Sequence, residues 1–158
     1  MNKKEHKYLI FSLNNEDYGL DIFKVKEIIG IMDITPVPQT PDYFKGVINL
    51  RGKIIPIIDL RIRFGMEHKE YTDHTCIIVI ELKGKTGLIQ MGIIVDTVTE
   101  VSNIDKEDIE SPPSFGTKLN TDYILGIAKG KEKVKILLDI EKVLTEEELI
   151  MIEEKGGM

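Results

Sequence analysis

The stretch GVINLRGKIIPIIDLRIRFG, at residues 46–65, decides the fold class. Two apolar runs rich in Ile and Val flank Arg51-Gly52, and a glycine at that point allows a tight reversal between two strands. Pro56 interrupts the second run and lacks the N–H that a ladder needs, so its strand is predicted to be an edge strand or a bulged one. Asp59 to Phe64 then has a short helical pattern, which Gly65 closes. The stretch therefore predicts a β-hairpin followed by one helical turn.

The other apolar runs are equally short, rich in Ile and Val, and separated by Gly, Asn or Pro, which is typical of an all-β fold. Residues 21–30 fit both a helical and a strand pattern, so we expect a helical turn near Ile22 to Lys24 that leads into a strand. Thr145 followed by Glu148 forms a capping box, which predicts a C-terminal helix. About ten strands in so short a chain suit two small closed barrels, because closure removes exposed edges. The predicted class is all-β, mainly strands with short helices.

Composition and charge narrow the classes of function. The 158 residues carry a formal net charge of −6, and the basic residues are scattered among acidic ones. An acidic chain repels nucleic-acid phosphates unless it has a concentrated basic face, so no nucleic-acid partner is expected. Cys76 is the only cysteine, which fits a reducing compartment. The N-terminal apolar run is too short for a secretory signal, and no run reaches the roughly 20 residues of a membrane span, so we expect a cytoplasmic protein without direct membrane contact.

Candidate catalytic and metal-binding residues do not form a constellation. Three carboxylates lie beside apolar residues but have no local histidine with which to share a proton: Glu27, Asp59 and Asp96. Three further side chains are close in sequence but match no metal-ligand spacing: His68, His74 and Cys76. Because Cys76 has apolar neighbours in a predicted strand, we expect it to be a small buried side chain. No catalytic residue, metal site or cofactor is predicted.

Arg51 is the basic residue that most suggests a binding role, because it stands at the turn beside Gly52. A guanidinium at a turn next to an apolar groove can anchor a partner through planar hydrogen bonds. The alternative is an exposed turn residue without a partner. Residue type and position alone leave both interpretations open.

Several stretches resemble the CheW family in the same order along the chain. The stretch at 46–65 is similar to the signature of that family, and LIFSLNNEDYGLDIFKVKEIIG at 9–30 is similar to its opening. The similarity continues through GIIVDTVTEV at 92–101, DYILGIAK at 122–129 and ILLDIEKVLTEEE at 136–148. Its length and order make it specific, although each fragment alone is weak. Since no room remains for a kinase core or a receiver domain, we expect the stand-alone adaptor of the family.

The resemblance implies a particular architecture: a single domain over residues 1–158, built from two packed SH3-like barrels of five strands each. The first barrel is expected over about residues 15–82. The second is expected over about residues 7–14 and 83–145. A C-terminal helix is expected over residues 145–155.

The resemblance also implies a function: a non-enzymatic adaptor that couples methyl-accepting chemoreceptors to the histidine kinase CheA in bacterial chemotaxis. In this family the tip of the receptor's helical hairpin binds in a groove between the barrels. The matching positions in this chain are Val25, Glu27, Gly46, Asn49 and Arg51. The regulatory domain of the kinase packs against the second barrel, and the candidate positions for that contact are Ile94, Val95 and Val98.

Binding is expected to follow the helix-in-groove mode, in which Val25 supplies apolar area while Glu27 and Arg51 fix the register. Two departures from the family pattern lie near the expected groove. Many relatives carry arginine where this chain has Ile29, and some carry a basic residue where it has Val37. Both differences remove charge, so polar contacts with a receptor are expected to differ there.

Two other classes of function stay open. A small-ligand-binding or enzymatic barrel would use Glu27, Asp59 or a histidine, and it requires a concave polar pocket with a perturbed carboxylate. An RNA-binding barrel requires a basic strip with exposed aromatic side chains, and a chain that has no Trp and a net negative charge argues against it.

Overall fold

The part of the chain that the structure describes folds into two β-sheets and two short α-helices. The computed structural model describes residues 6–85, 87–112, 122–130 and 133–156. Within these residues the strands are β1 Lys7–Leu13, β2 Glu16–Asp21, β3 Val25–Gly30, β4 Phe44–Leu50, β5 Lys53–Asp59, β6 Cys76–Gly84, β7 Gly87–Val95, β8 Thr97–Asn103, β9 Ile109–Glu110, β10 Ile124–Ala128 and β11 Lys135–Leu138. The helices are α1 Leu60–Arg63 and α2 Glu146–Gly156, with 3₁₀ turns at Ile22–Lys24, Lys106–Asp108 and Ile140–Lys142.

Each sheet combines antiparallel pairs with one parallel pair. The six-stranded sheet has the order β8-β1-β2-β11-β10-β9, in which β2 and β11 run parallel. The five-stranded sheet has the order β3-β6-β7-β5-β4, in which β5 and β7 run parallel. The predicted all-β class, with two SH3-like barrels and a C-terminal helix, is confirmed. One detail differs, because the two-residue strand β9 gives one sheet six strands rather than five.

The two sheets divide the chain differently from the expected barrel boundaries. Strand β2 was expected in the first barrel, but it pairs with β1 in the six-stranded sheet, because Asn14 and Asn15 have φ of 51° and 65° and form a tight turn. Strand β7 was expected in the second barrel, but it pairs with β6 in the five-stranded sheet along its whole length. A hairpin partner is the nearest source of ladder hydrogen bonds, so both strands stay with their hairpins.

A large apolar cluster joins the two sheets. Fully buried side chains from both sheets belong to it, among them Leu9, Phe11, Leu20, Ile78, Ile80, Met91 and Ile93. Burial of one such side chain stabilises a fold by about 1.5–3 kcal/mol. We call this cluster the shared core. A second cluster, which includes Ile57, Ile77 and Val79, lies on the opposite face of the five-stranded sheet, because the side chains of β6 alternate between the two clusters.

The hairpin predicted around Arg51-Gly52 is present. These residues have φ of 52° and 87°, and they join β4 to β5 where Leu50 pairs with Lys53. The expectation for Pro56 is partly wrong, because β5 is an internal strand. However, β5 pairs with β7 only over Ile57–Asp59, so Pro56 lies where β5 has one paired neighbour and its missing N–H breaks no ladder.

The predicted helix starts are confirmed. The Asp59 carboxylate accepts the backbone N–H groups of Arg61 and Ile62, at 3.0 and 3.4 Å, and so caps α1. Thr145 and Glu148 form the predicted reciprocal capping box at the start of α2, at 2.8 and 3.1 Å. The 3₁₀ turn Ile22–Lys24 leads into β3 as expected. Among the described residues, no helix has the length and apolar character that a membrane crossing needs.

Candidate partner-binding site

The backbone of the β4–β5 turn presents the Arg51 side chain to solvent. The Gly52 N–H donates to Asn49 Oδ1 at 2.8 Å, which fixes the turn. The Arg51 side chain is 70 % exposed, and its guanidinium donates to the Glu27 carboxylate. Glu27 lies on β3, and β3 and β4 are the two outer strands of the five-stranded sheet. The ion pair therefore spans the two edges of that sheet.

The same two edges also meet through the backbone. Beyond β3 the chain reaches Thr35, which exchanges two hydrogen bonds with Val47 on β4, at 2.8 and 2.9 Å. Gly46 makes this approach possible, because it has a φ of 138° and a Cβ placed there would lie 2.0 Å from the Thr35 carbonyl oxygen. Gly46 therefore closes the barrel beneath the ion pair, and it has no side chain to offer a partner.

Strand β3 also presents apolar side chains at its open edge. A bulge between Val25 and Glu27 changes the alternation, so that Val25 pairs with Ile80 and Ile28 pairs with Ile78, both of which belong to the shared core. Val25 is partly buried, and Ile28 is 42 % exposed. Glu27 points the other way, toward the second cluster. The sequence pattern does not single out Ile28, because simple alternation groups 25, 27 and 29 on one face.

Phe23 is a second exposed apolar residue that the sequence pattern does not single out. It lies in the 3₁₀ turn directly before β3, and its side chain is 85 % exposed. A large exposed aromatic side chain is a common feature of protein-binding surfaces. A turn residue in an ambiguous segment gives no periodic signal, so only the structure reveals its exposure.

The carboxylates considered for an enzymatic site are engaged in structural bonds. Asp59 is 1 % exposed, and besides capping α1 it accepts the Tyr71 hydroxyl at 2.9 Å. Burial, and then the charge and hydrogen bond of Asp59, raise the pKa of Tyr71 above its ordinary value of 10.0. The cavity beside Asp59 holds about 20 Å³, which is room for one water molecule and not for a substrate. Among the described residues, no group of three His, Cys, Asp or Glu side chains converges on a metal site.

A family model described as the CheW-like domain matches residues 7–148. The chain belongs to the CheW-like domain family. The chemotaxis protein CheW of Klebsiella aerogenes is 43 % identical over 146 residues, which cover 92 % of this chain and 86 % of that protein. The chemotaxis protein CheW of Treponema pallidum is 35 % identical over 155 residues, which cover 94 % and 88 % of the two chains.

The fold of this CheW-like chain also matches a solved structure of the family. The crystal structure of the scaffolding protein TtCheW from Thermoanaerobacter tengcongensis superposes with a TM-score of 0.79 and 41 % sequence identity. The match covers 91 % of this chain and 90 % of that one. The two-barrel architecture is therefore shared with a scaffold whose structure is known.

The positions expected to contact a kinase need correction in this CheW-like chain. Ile94 and Val95 are 3 % and 1 % exposed, and they belong to the two apolar clusters on either face of β7. A long apolar run fits a central strand that is buried on both faces, which explains why the sequence could not separate core from surface. Val98 differs, because it is partly exposed on β8, an outer strand of the six-stranded sheet. Of these three positions, only Val98 is exposed enough to contact a partner.

Proposed function

We propose that this chain is a chemotaxis scaffold that couples chemoreceptors to the histidine kinase CheA by binding both, without catalysing a reaction. Its membership of the CheW-like family and its relatives among chemotaxis and scaffolding proteins support this proposal. The observation that carries it is the exposed Arg51–Glu27 pair beside the apolar edge of β3. The proposed location is cytoplasmic, at receptor arrays that the chain reaches through its partners.

The receptor is proposed to bind between the outer strands of the two sheets. Val25 and Ile28 on β3 pair with two residues of the shared core, so they extend its apolar surface to the outer edge of the five-stranded sheet. Val98 and Val101 on β8 extend the same apolar surface to the outer edge of the six-stranded sheet, because they pair with Phe11 and Leu9 of the shared core. Two apolar rims of this kind suit the apolar face of a helix.

Arg51 and Glu27 would set the register of the receptor helix. Exposed charges contribute little to stability, but they select partners and orient them. Asn49 supports this role from below, since its side chain holds the turn that presents Arg51. Gly46 supports it by allowing the edges of the five-stranded sheet to meet.

Arg51→Ala tests the receptor site. The affinity for a receptor-tip helical hairpin fragment should fall about tenfold in calorimetric titration, the size of effect expected for an interfacial arginine. Lys53→Ala is the matched control, because Lys53 is an exposed basic residue on the same hairpin, and it should bind as the unmodified protein does. If the unmodified protein and both variants bind with equal affinity, Arg51 does not contribute to the receptor site. Failure of the unmodified protein to bind both the receptor fragment and the CheA regulatory domain would refute the coupling function.

The kinase is proposed to bind on the six-stranded sheet, at a groove of about 400 Å³. Apolar Leu125, Ile109 and Leu137 line the groove, and Lys106 and Glu110 lie at its rim. Leu125 is 51 % exposed because a bulge in β10 displaces it from the ladder. An apolar floor with a mixed-charge rim is the usual anatomy of a protein interface.

Leu125→Asn should weaken binding of the CheA regulatory domain about tenfold, because a central apolar anchor is lost. Val134→Asn is the matched control, since Val134 has a similar exposure of 48 % but does not line the groove. Surface plasmon resonance with the immobilised kinase domain measures both. If the two variants bind equally well, the kinase does not use this groove.

A further inference from the structure

Two connections between described strands cross from one sheet to the other, and an ion pair lies at each. The first crossing is the 3₁₀ turn Ile22–Lys24, between β2 and β3, where Lys24 pairs with Glu141 at 2.9 Å. The second is Asp96, the single residue between β7 and β8, which pairs with Arg61 at 2.7 Å. These crossings are where the relative orientation of the sheets can be controlled.

Asp96 binds both sheets through side chain and backbone. Its Oδ2 accepts the Arg61 guanidinium from α1, which follows the five-stranded sheet. The same oxygen accepts the Asn14 backbone N–H at 2.8 Å, from the β1–β2 turn of the six-stranded sheet. Its own N–H donates to the Ser12 carbonyl at 3.1 Å. One residue therefore joins a helix on one sheet to a turn on the other.

The Arg61–Asp96 pair is the more sheltered of the two crossing pairs. Its side chains are 12 % and 19 % exposed, whereas those of Lys24 and Glu141 are 38 % and 27 % exposed. Solvent and salt screen a sheltered pair less, and the charge-assisted hydrogen bonds of Asp96 are directional. Loss of the Asp96 charge would also leave a sheltered guanidinium without its charged partner, because its other hydrogen bond goes to the neutral Glu67 carbonyl, at 3.1 Å.

We infer that Asp96 is a positioning residue that fixes the angle between the two sheets and thereby places β8. Strand β8 begins at the next residue, and its Val98 and Val101 form one rim of the proposed receptor groove. The inference rests on the proposed function only for its consequence in receptor binding. The proposed kinase groove lies within one sheet, so Asp96 should matter much less for the kinase than for the receptor.

Asp96→Asn tests this role, because it keeps the size of the side chain and an oxygen for the Asn14 amide but removes the charge. Asp33→Asn is the control, since it makes the same chemical change at an exposed loop residue. Nitroxide labels on Lys7→Cys and Lys53→Cys, in a Cys76→Ser background, report the distance between the sheets in double electron–electron resonance, a pulsed electron paramagnetic resonance experiment. Labels on Lys7→Cys and Glu16→Cys report a distance within one sheet.

Asp96→Asn should broaden or shift the distance distribution between the sheets and leave the distribution within one sheet unchanged. Receptor-fragment affinity should fall about tenfold, and kinase-domain affinity should change less than about twofold. An unchanged distribution between the sheets would overturn the inference. An equal loss of affinity for both partners, together with a lower melting temperature, would also overturn the inference, because that result indicates lost stability alone. The label measurement needs no partner, so it judges the role of Asp96 even if the unmodified protein fails to bind a receptor.

Discussion

Two arginine–carboxylate networks in this molecule have the same chemistry and opposite surroundings. Arg51 and Glu27 pair at the outer edge of the five-stranded sheet, with side chains 70 % and 33 % exposed. Arg63 and Glu148 pair where α2 packs on that sheet, with side chains 26 % and 25 % exposed. Glu148 also accepts the Tyr43 hydroxyl and belongs to the capping box of α2. Surroundings therefore decide whether an ion pair is available to partners or holds the fold.

How much each ion pair stabilises the fold depends on its exposure to solvent and on the number of hydrogen bonds that its carboxylate accepts. An exposed pair gains little net energy, because water and salt screen it and two long side chains lose freedom. A sheltered carboxylate with several donors stabilises more, and its removal leaves the donors without partners. Removal of a charge at the edge should therefore change binding, and removal of a charge at the α2 junction should change stability.

Gly46 is the place at the exposed edge where we expect the largest loss of stability. Gly46→Ala puts a Cβ 2.0 Å from the Thr35 carbonyl oxygen, so the backbone bridge that closes the barrel must open. The free energy of unfolding should fall by about 3 kcal/mol or more in urea titration, the range of severe strain and lost hydrogen bonds. Receptor binding should fall with it.

Gly52→Ala is the matched control for Gly46→Ala. Gly52 also has a positive φ, of 87°, but a Cβ there would meet no atom within 4 Å. Backbone strain alone should cost about 1 kcal/mol. Equal losses in the two variants would show that backbone strain, and not the contact with Thr35, governs Gly46.

Glu148 should make the stability of the chain depend on pH. Burial acts to raise its pKa, but the Thr145 backbone bond, the Tyr43 hydroxyl and Arg63 outweigh burial and hold the pKa below its ordinary value of 4.5. A group whose pKa is lower in the folded state stabilises the fold above its unfolded pKa, and that contribution is lost as pH falls through the folded pKa. Its stabilisation should therefore be complete near neutral pH and disappear in acid below the ordinary glutamate pKa.

Glu148→Gln measures this contribution. At neutral pH the variant should be less stable than the unmodified protein by about 1 kcal/mol, because charge-assisted hydrogen bonds become neutral ones. The difference between the two free energies of unfolding should shrink toward zero as the pH falls below 4.5, the ordinary pKa of this residue. Glu147→Gln is the control, since Glu147 is exposed on the same helix turn. A difference that stays constant with pH would contradict the assigned role.

Local features of this fold could be predicted from the sequence, and features set by long-range pairing could not. The Arg51-Gly52 turn, the helical turn after Asp59 and the Thr145 capping box each depend on residues within a few positions. The bulge that turns Ile28 toward the shared core depends on the register of β3 against β6. The burial of Ile94 depends on strands that cover β7 from both sides.

Arg51 itself should show the smallest change in stability. It has a φ of 52°, a conformation that costs a side chain with a Cβ about 1 kcal/mol or more and costs glycine nothing. In Arg51→Gly, relief of that strain should offset both the lost ion pair and the greater freedom of glycine in the unfolded chain. The free energy of unfolding should therefore stay within about 0.5 kcal/mol of the original value, as expected for loss of an exposed pair. Receptor-fragment affinity should nevertheless fall as far as in Arg51→Ala. These results together would assign Arg51 to the partner surface, because the residue strains its own turn, adds little to stability and is needed for binding. A large loss of stability in Arg51→Gly would contradict this assignment, because the Arg51–Glu27 pair would then hold the fold as the sheltered network at α2 does.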